Sequence, residues 1–466
     1  MKFHQWRDAQ EWKKYGLDFS CTSNETLKLY DAALTQYVSW YEDDSLGGLE
    51  KTAVSLLEGN PEWVMGHVIC NGLDLMGTGR SPDLDPEFKV ALNKMEDMKK
   101  MATLTDLERS HVEAVALCGK GFMKEACNIW EDILVKYPQD MLAVKFAHDA
   151  YFYLGYQPQM RDSINRVLPH WKPSMPFYGY LLGMQSFGLV ETNFYNQAEV
   201  AAKKGLEINA NDAWSTHSMA HVLEMMGRAE EGVKFMSTTL ADWEPCGMLA
   251  CHNFWHWAVY HIEKGEYQGA FDIFDSKIGA SVLKSGAMLD IVDACSLLFR
   301  LEMEGQNVEG RWNDIYETCA SHTDDHLLCF NDVHILLSCL GAKKDETVKK
   351  MMESMTSFIE NAQGTQRDVC KEVGFGICKS FVAYNEGNFA LATDILAPLR
   401  YKILNIGGSN AQRDLFNLFL INSALKSNDC RHTKLAKHLL AERKALKENA
   451  PMTDRLMARA LAQHAD

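Results

Sequence analysis

The chain has 466 residues, of which 47% are apolar and 24% charged, and its 11 prolines and 31 glycines are too few for a disordered or collagen-like protein. Its net charge of −16 disfavours a nucleic-acid or anionic-membrane surface, because neutralising phosphates needs clustered Lys and Arg, whereas here the basic residues are dispersed among acids. A stack of small helical repeats is compatible with this length, since such folds bury their core between neighbouring repeats.

The 13 cysteines are scattered through apolar segments without a CxxC pair, which predicts reduced core thiols rather than a disulfide or zinc framework. The N-terminal sequence lacks the apolar core of a signal peptide, and no run reaches the roughly eighteen apolar residues of a membrane span. We therefore expect a cytoplasmic protein.

The first predicted element is a helix that opens at a capping box, residues 22–25 (TSNE), and continues through DAALTQYVSWY. Gly48, Ala53 and Pro61 predict a helical hairpin next in the chain. A loop at residues 77–87 (GTGRSPDLDPE) then separates this region from the segment that follows.

A recurring spacing begins after this loop, in which a turn-forming Gly or Asn is followed five positions later by a small residue. The complete copies are Gly121 with Ala126, Asn193 with Ala198, Gly265 with Ala270, and Gly387 with Ala392, and degenerate copies occur at Gly155 and Gly227. The turn positions from 121 to 265 are separated by 34, 38, 34 and 38 residues, close to the roughly 34-residue period of tetratricopeptide repeats. Beyond residue 275 the spacing loosens through Gly305 and Gly341.

The spacing has a physical explanation: Gly or Asn takes the left-handed turn conformation, and the small residue lets the second helix lie close to the first. We therefore predict an all-α fold, a curved solenoid of tetratricopeptide-like helical hairpins. A single array is expected to span residues 1–466, with degenerate N-terminal repeats at 1–100, the best-defined repeats at 101–300, and degenerate repeats with a C-terminal cap at 301–466.

Four stretches of the chain carry a resemblance to a known family: TSNETLKLYDAALTQYVSWY, DMLAVKFAHDAYFYLGYQPQMRDS, CHNFWHWAVYHIEKGEY and GGSNAQRDLFN. They resemble the tetratricopeptide repeat protein 38 family from about residue 9 to the C-terminal helices. The resemblance implies an all-α repeat fold, and it brings no established reaction, cofactor or partner.

The first helix of each tetratricopeptide hairpin is expected to line a concave surface, through positions counted back from the small residue of the second helix. This register places many polar side chains on the same side of successive helices. The predicted groove residues are His111, Lys145, Asp149, Tyr180, His217, His221, Glu224, His252, Trp255, His256 and Asn331.

The histidines of this set admit two interpretations. His217 and His221 are four residues apart with Glu224 three further on, so one helical face presents all three, and His252 or His256 of the next hairpin could complete a zinc shell. If a metal is present, its predicted ligands are His217, His221, Glu224 and His252. The favoured interpretation is a buried hydrogen-bond network, and we expect neither a metal nor another cofactor.

Two further motifs have both structural and binding interpretations. Trp255 and Trp257 flank His256 and could stack on a ligand, but core packing is favoured for them. Residues 407–414 (GGSNAQRD) could cradle an anion beside Arg413, but a structural loop is favoured there.

The predicted function is binding of a peptide or small molecule in a polar, histidine-rich groove, with neither nucleic acid nor membrane as a partner. The alternative is an enzyme, a metal-dependent hydrolase or an acid–base catalyst, because histidines and carboxylates are the groups that such chemistry needs. A structural adaptor is the third interpretation.

Overall fold

A computed structural model describes residues 5–308 and 310–462. For Met248 it describes only the backbone. Throughout these residues the chain forms helices joined by turns, and no strand occurs among them. Its contacts divide the chain into two compact units: the first comprises Met1–Met219 and Ala241–Leu249, and the second comprises Ala220–Leu240 and Ala250–Asp466.

The helices up to residue 225 are α1 (Ala9–Lys14), α2 (Asn24–Ser39), α3 (Gly48–Gly59), α4 (Val64–Met76), α5 (Pro86–Met98), α6 (Asp106–Gly119), α7 (Met123–Lys136), α8 (Met141–Leu154), α9 (Gln157–Val167), α10 (Tyr178–Glu191), α11 (Tyr195–Ile208) and α12 (Ala213–Met225). The following helices are α13 (Ala229–Thr238), α14 (Leu240–Trp243), α15 (Met248–Lys264), α16 (Tyr267–Ile273), α17 (Gly279–Ser285), α18 (Met288–Met303), α19 (Arg311–Cys319), α20 (Cys329–Gly341), α21 (Asp345–Asn361), α22 (Thr365–Val369), α23 (Phe375–Asn385), α24 (Phe389–Leu396), α25 (Asn410–Lys426), α26 (Cys430–Leu446) and α27 (Pro451–Ala462). Short 3-10 turns lie at Leu168–His170, Ala320–His322, Ala397–Leu399 and Ile403–Ile406, and π-helical turns lie at Phe274–Ile278 and Cys370–Gly374.

Consecutive helices pack as hairpins within each unit, α6 with α7 and α10 with α11 in the first, α23 with α24 and α25 with α26 in the second. The predicted turn residues all have positive φ: Gly121 (85°), Gly155 (68°), Asn193 (67°), Gly227 (70°), Gly265 (80°) and Gly387 (78°). Glycine and asparagine tolerate this left-handed conformation better than other residues do. The fold class is therefore all-α, built of tetratricopeptide-like helical hairpins, as the sequence predicts. The division of a single array into three stretches stays a prediction.

The small residues that follow the turns lie where helices approach closely. Ala126, Ala198, Ala270 and Ala392 are all completely buried. At the corresponding position of another hairpin, a Cβ added to Gly232 would lie 2.5 Å from ring atoms of Tyr260. A larger side chain at such a position has to push the neighbouring helix away.

The structure differs from the predicted details at two places. The cap of α2 is Ser23, whose Oγ accepts a hydrogen bond from the backbone N–H of Thr26 at 3.3 Å, so the helix opens one residue later than a cap at Thr22 requires. Gly341 is the last residue of α20 rather than the turn, which has its positive φ at Lys343 (56°). Gly341 is needed for packing instead, because an added Cβ would lie 2.3 Å from the ring of Trp312.

Most cysteines contribute to the core: all except Cys70 and Cys430 are buried, and each of the thirteen carries a free thiol.

Within the described residues, none of the helices combines the length and the apolar character that crossing a membrane demands.

A buried histidine, His148 of α8, forms part of the core of the first unit. Its ring lies 5.3 Å from that of Trp214 and 6.0 Å from that of Phe187, and neither ring nitrogen has a hydrogen-bond partner. Burial, followed by the charge of Lys145, lowers the pKa of His148 to about 3. The imidazole is therefore neutral in the folded protein at any pH near neutrality.

The packing at Ala270 predicts that Ala270→Leu lowers the free energy of unfolding by about 1–3 kcal/mol, because a fully buried crossing has no room for the added side chain. Urea unfolding measures this difference. The control is Gln268→Leu, at an exposed position of the same helix. We expect this variant to have nearly the same free energy of unfolding as the parent. A variant at Ala270 that unfolds like the parent would contradict the assignment of the helix crossing.

The buried neutral imidazole of His148 predicts that acid destabilises the first unit. The unfolded chain takes up a proton on this residue below pH about 6.5, whereas the folded protein does so only near pH 3, so stability is lost as the pH falls below about 6.5. At pH 5 this difference in proton uptake lowers the free energy of unfolding by about 2 kcal/mol.

In His148→Phe the free energy of unfolding should therefore fall less between pH 7 and pH 5 than in the parent, as urea unfolding at several pH values would measure. His170→Phe, at an exposed position, is the control. If the free energy of unfolding falls equally between pH 7 and pH 5 in His148→Phe and in the parent, His148 is not the buried neutral group that makes the protein sensitive to acid.

Candidate histidine site

Three histidines of the second unit come together where α12 faces α15. His252 and His256 are four residues apart on α15, and His221 lies on the C-terminal half of α12 with Glu224 one turn after it. Helical spacing of three or four residues puts each pair on one face of its helix. The three imidazoles are almost completely buried, with exposures of 0%, 4% and 0% for His221, His252 and His256. We call His221, His252, His256 and the two carboxylates described next the histidine site.

His256 is held between an imidazole and a carboxylate. Its Nδ1 donates to Oε2 of Glu224 at 2.9 Å, and its Nε2 lies 3.1 Å from Nε2 of His221. With the carboxylate as hydrogen-bond acceptor, the proton of the neutral ring is on Nδ1. The lone pair is then on Nε2, the nitrogen that faces His221.

His252 is oriented by a carboxylate of a different helix. Its Nδ1 donates to Oδ2 of Asp293 on α18 at 2.7 Å. Oδ1 of Asp293 in turn accepts a hydrogen bond from Nε2 of Gln412 at 3.4 Å. The ring of His252 stacks on Trp255 with a centroid distance of 5.3 Å and an interplanar angle of 7°. Trp255 is fully buried, so it contributes packing that fixes the imidazole plane.

Burial shifts the pKa of three groups in the site, His221, His256 and Glu224. It lowers the pKa of His221 well below its usual range, with smaller contributions from His256 and His252. It likewise lowers the pKa of His256, helped by His252 and Arg300. The pKa of Glu224 is raised, again chiefly by burial. Neutral imidazoles are the form that accepts a proton or binds a metal ion.

The GGSNAQRD loop, residues 407–414, supports the site from outside. Ser409 and Gln412 form a capping box at the start of α25, which positions the Gln412 side chain toward Asp293. Arg413 donates to the carbonyl oxygens of Gly407 and Gly408 and to Oδ1 of Asn410. Its guanidinium is therefore used within the loop, which agrees with the structural interpretation rather than with an anion cradle.

Asp414, on α25, pairs with Arg443 of α26. Although burial opposes the shift, the charges and hydrogen bonds of Arg443, with the charge of Arg300, lower the pKa of Asp414 to about 2. This carboxylate is therefore ionised and does not belong to the histidine site.

Of the four predicted metal ligands, His221, Glu224 and His252 lie in the histidine site, and the predicted ligand set itself stays a prediction. Glu224, predicted as a metal ligand, lies behind His256 as its hydrogen-bond partner. Asn331 is buried on α20. His217 precedes His221 by one turn but belongs by its contacts to the first unit, where its ring lies 5.2 Å from that of Phe187.

The remaining predicted residues lie in the first unit and have partners of their own. Nε2 of His111 lies 2.8 Å from Oδ2 of Asp140. Lys145 pairs with Asp149, and Asp149 also accepts a hydrogen bond from the Tyr37 hydroxyl at 2.5 Å. The ammonium group of Lys145 lies 4.2 Å from the centre of the Tyr37 ring. Tyr180 is partly exposed on α10. Their role in a common groove stays a prediction.

Sequence reasoning missed two residues: Asp293, which belongs to the histidine site, and Gln412, which donates to it. Asp293 lies within DIVDACS, a largely apolar segment of α18, and a carboxylate on a buried helix face signals a polar partner. Gln412 gives no comparable signal, because its role depends on how α25 packs against α18.

Comparison with known proteins found no matching protein-family model. Among solved structures, the chain is similar to a monomeric IFIT1 mutant with Gppp-AAAA, at 13% identity over 98% of this chain and 97% of that chain, with a TM-score of 0.39. It is also similar to the human IFIT1 dimer with m7Gppp-AAAA, at 14% identity over 95% of each chain, with a TM-score of 0.38. A third is the human IFIT1 dimer with PPP-AAAA, at 14% identity over 94% of this chain and 95% of that chain, with a TM-score of 0.41.

The prediction that nucleic acid is not a partner is contradicted by these neighbours, whose ligands are capped or triphosphate RNA ends, and we withdraw it. That prediction rested on the net charge of the whole chain, which does not exclude a local basic surface. TM-scores of 0.38–0.41 carry no argument that this chain itself binds RNA.

Proposed function

We propose that the protein is a helical-repeat binding protein whose histidine site holds a small ligand. The observation that carries this proposal is the convergence of three buried imidazoles, His221, His252 and His256, with a carboxylate behind two of them. A helix interface can be packed with apolar side chains at no such cost, because burying polar groups is unfavourable unless every one is satisfied. A site built from polar groups in this number indicates selection for binding.

The burial of the site favours a small ligand over a peptide. An extended peptide needs an exposed surface on which backbone and side chains can lie. The three imidazoles and Glu224 are each at most 5% exposed. A ligand of a few atoms needs far less space beside such nitrogens than a polypeptide segment does.

We also propose that the chain is a member of the tetratricopeptide repeat protein 38 family and that it acts in the cytoplasm. The four sequence stretches that resemble the family support the first statement. The free thiols support the second, since buried reduced cysteines are typical of reducing compartments.

An enzyme is the second candidate, and one observation favours it. The His252–Asp293 pair has the form of a general base with its orienting carboxylate, at 2.7 Å. A catalytic role requires turnover of the bound ligand, so incubation of the parent and of His252→Gln with a metabolite extract separates the two functions. Consumption of a metabolite by the parent alone would favour the enzyme.

The proposed binding function predicts that protein purified without chelator retains a bound species that His252→Gln loses. Replacing His252 removes one ring nitrogen and its link to Asp293 while keeping a polar side chain. Native mass spectrometry would measure any mass above that of the chain, and denaturing mass spectrometry would identify what is released.

The matched control is His261→Gln, on the same helix but outside the site, where Nδ1 of His261 lies 2.9 Å from Glu266. We expect this variant to retain the bound species. A parent protein that carries no additional mass, or equal retention by both variants, would disprove the proposed binding site.

A further inference from the structure

We infer that the ligand of the histidine site is a divalent transition-metal ion, for which zinc has the best-matched chemistry, bound through ring nitrogens of His221, His252 and His256. The inference rests on the proposed binding function and names the class of its ligand. Glu224 and Asp293 act as hydrogen-bond partners of the ligating imidazoles rather than as ligands.

The first argument is the spacing of the ring nitrogens. Nε2 of His221 and Nε2 of His256 lie 3.1 Å apart. Two nitrogens that share a tetrahedral zinc ion at about 2.0–2.1 Å each lie about 3.3 Å from one another. One ring nitrogen of His252 lies within 4.8 Å of one nitrogen of each of the other two imidazoles.

The second argument is the position of the carboxylates. Metal-ligating histidines almost always donate their other ring N–H to a carboxylate, carbonyl or water, which fixes the tautomer and strengthens the ligand. His256 has this relation to Glu224, and His252 has it to Asp293, each through Nδ1. Both rings therefore carry their proton on Nδ1 and their lone pair on Nε2, and a ring-nitrogen lone pair is what binds a metal ion. A hydrogen-bond network alone explains the contact between His221 and His256, but it gives no reason for two carboxylate–histidine pairs to face one point.

The third argument is the type of ligand atom. Three imidazoles suit zinc, copper, nickel and iron, whereas magnesium and calcium prefer oxygen ligands. Three protein nitrogens leave a fourth position for water or another group, as in zinc sites that do chemistry. The small volume of an ion also agrees with side chains that are almost completely buried.

The test begins with metal analysis of protein purified without chelator, followed by removal of metal and titration with Zn²⁺ by calorimetry. We expect about one tightly bound ion per chain. Co²⁺ titrated into the stripped protein should give the intense visible absorption of a tetrahedral nitrogen site. Circular dichroism of each preparation verifies that the helices are intact.

Two variants assign the ion to the site. His256→Gln should abolish stoichiometric Zn²⁺ binding, and Asp293→Asn, which keeps all three imidazoles, should weaken it by about 10- to 100-fold. His261→Gln on the same helix should bind like the parent. If His256→Gln does not fold, the titration of the parent and of Asp293→Asn still decides the question.

Failure of the metal inference is distinguishable from failure of the proposed function. Stripped parent protein that binds neither Zn²⁺ nor Co²⁺, or undiminished binding in folded His256→Gln, would overturn the metal. An organic molecule that co-purifies with the parent and is absent from His252→Gln would overturn the metal and keep the binding function. Absence of any bound species would overturn both.

Discussion

Close approach of two helices after a left-handed turn is the constraint on which the architecture depends. The hairpins at Gly121, Asn193, Gly265 and Gly387 each reverse at a residue with positive φ and then bury an alanine at the crossing of the two helices. The short distance between helix axes lets polar groups on one helix reach those on the next, as Tyr260 does when its hydroxyl donates to the carbonyl oxygen of Ala220 at 2.5 Å. The contacts of the histidine site depend on the same closeness.

The histidine site is stabilised as a chain of partners rather than as isolated side chains. Gln412 is fixed by a capping box, orients Asp293, and through it orients His252. Trp255 holds the plane of the same ring by stacking. Burial also lowers the pKa of His221 and of His256, because an apolar surrounding disfavours the charged imidazolium. A ring in a fixed orientation loses little conformational freedom when it binds a ligand, which favours affinity in a small site.

The sequence predicts the fold well because its signals are local. A positive φ favours Gly or Asn at that position, so the turns at Gly121 and Asn193 could be read directly. Gly341 shows the weakness of the same signal, since a glycine also serves where a ring such as Trp312 packs against the backbone. His221 and His256 are 35 residues apart, about one repeat, so the periodicity brings them near one another. Asp293 and Gln412 are separated by 119 residues, and no repeat spacing relates them.

The spacing of His252 and His256 restricts how α15 can change in length. Each residue turns an α-helix by about 100°, so inserting or deleting one residue between them would carry one imidazole to a different face. That imidazole would then be lost to the site although every residue type was preserved. The connection between α4 and α5, at residues 77–85, has no such periodic requirement. Length variation among related chains should accordingly accumulate in connections like this one and be absent between positions 252 and 256.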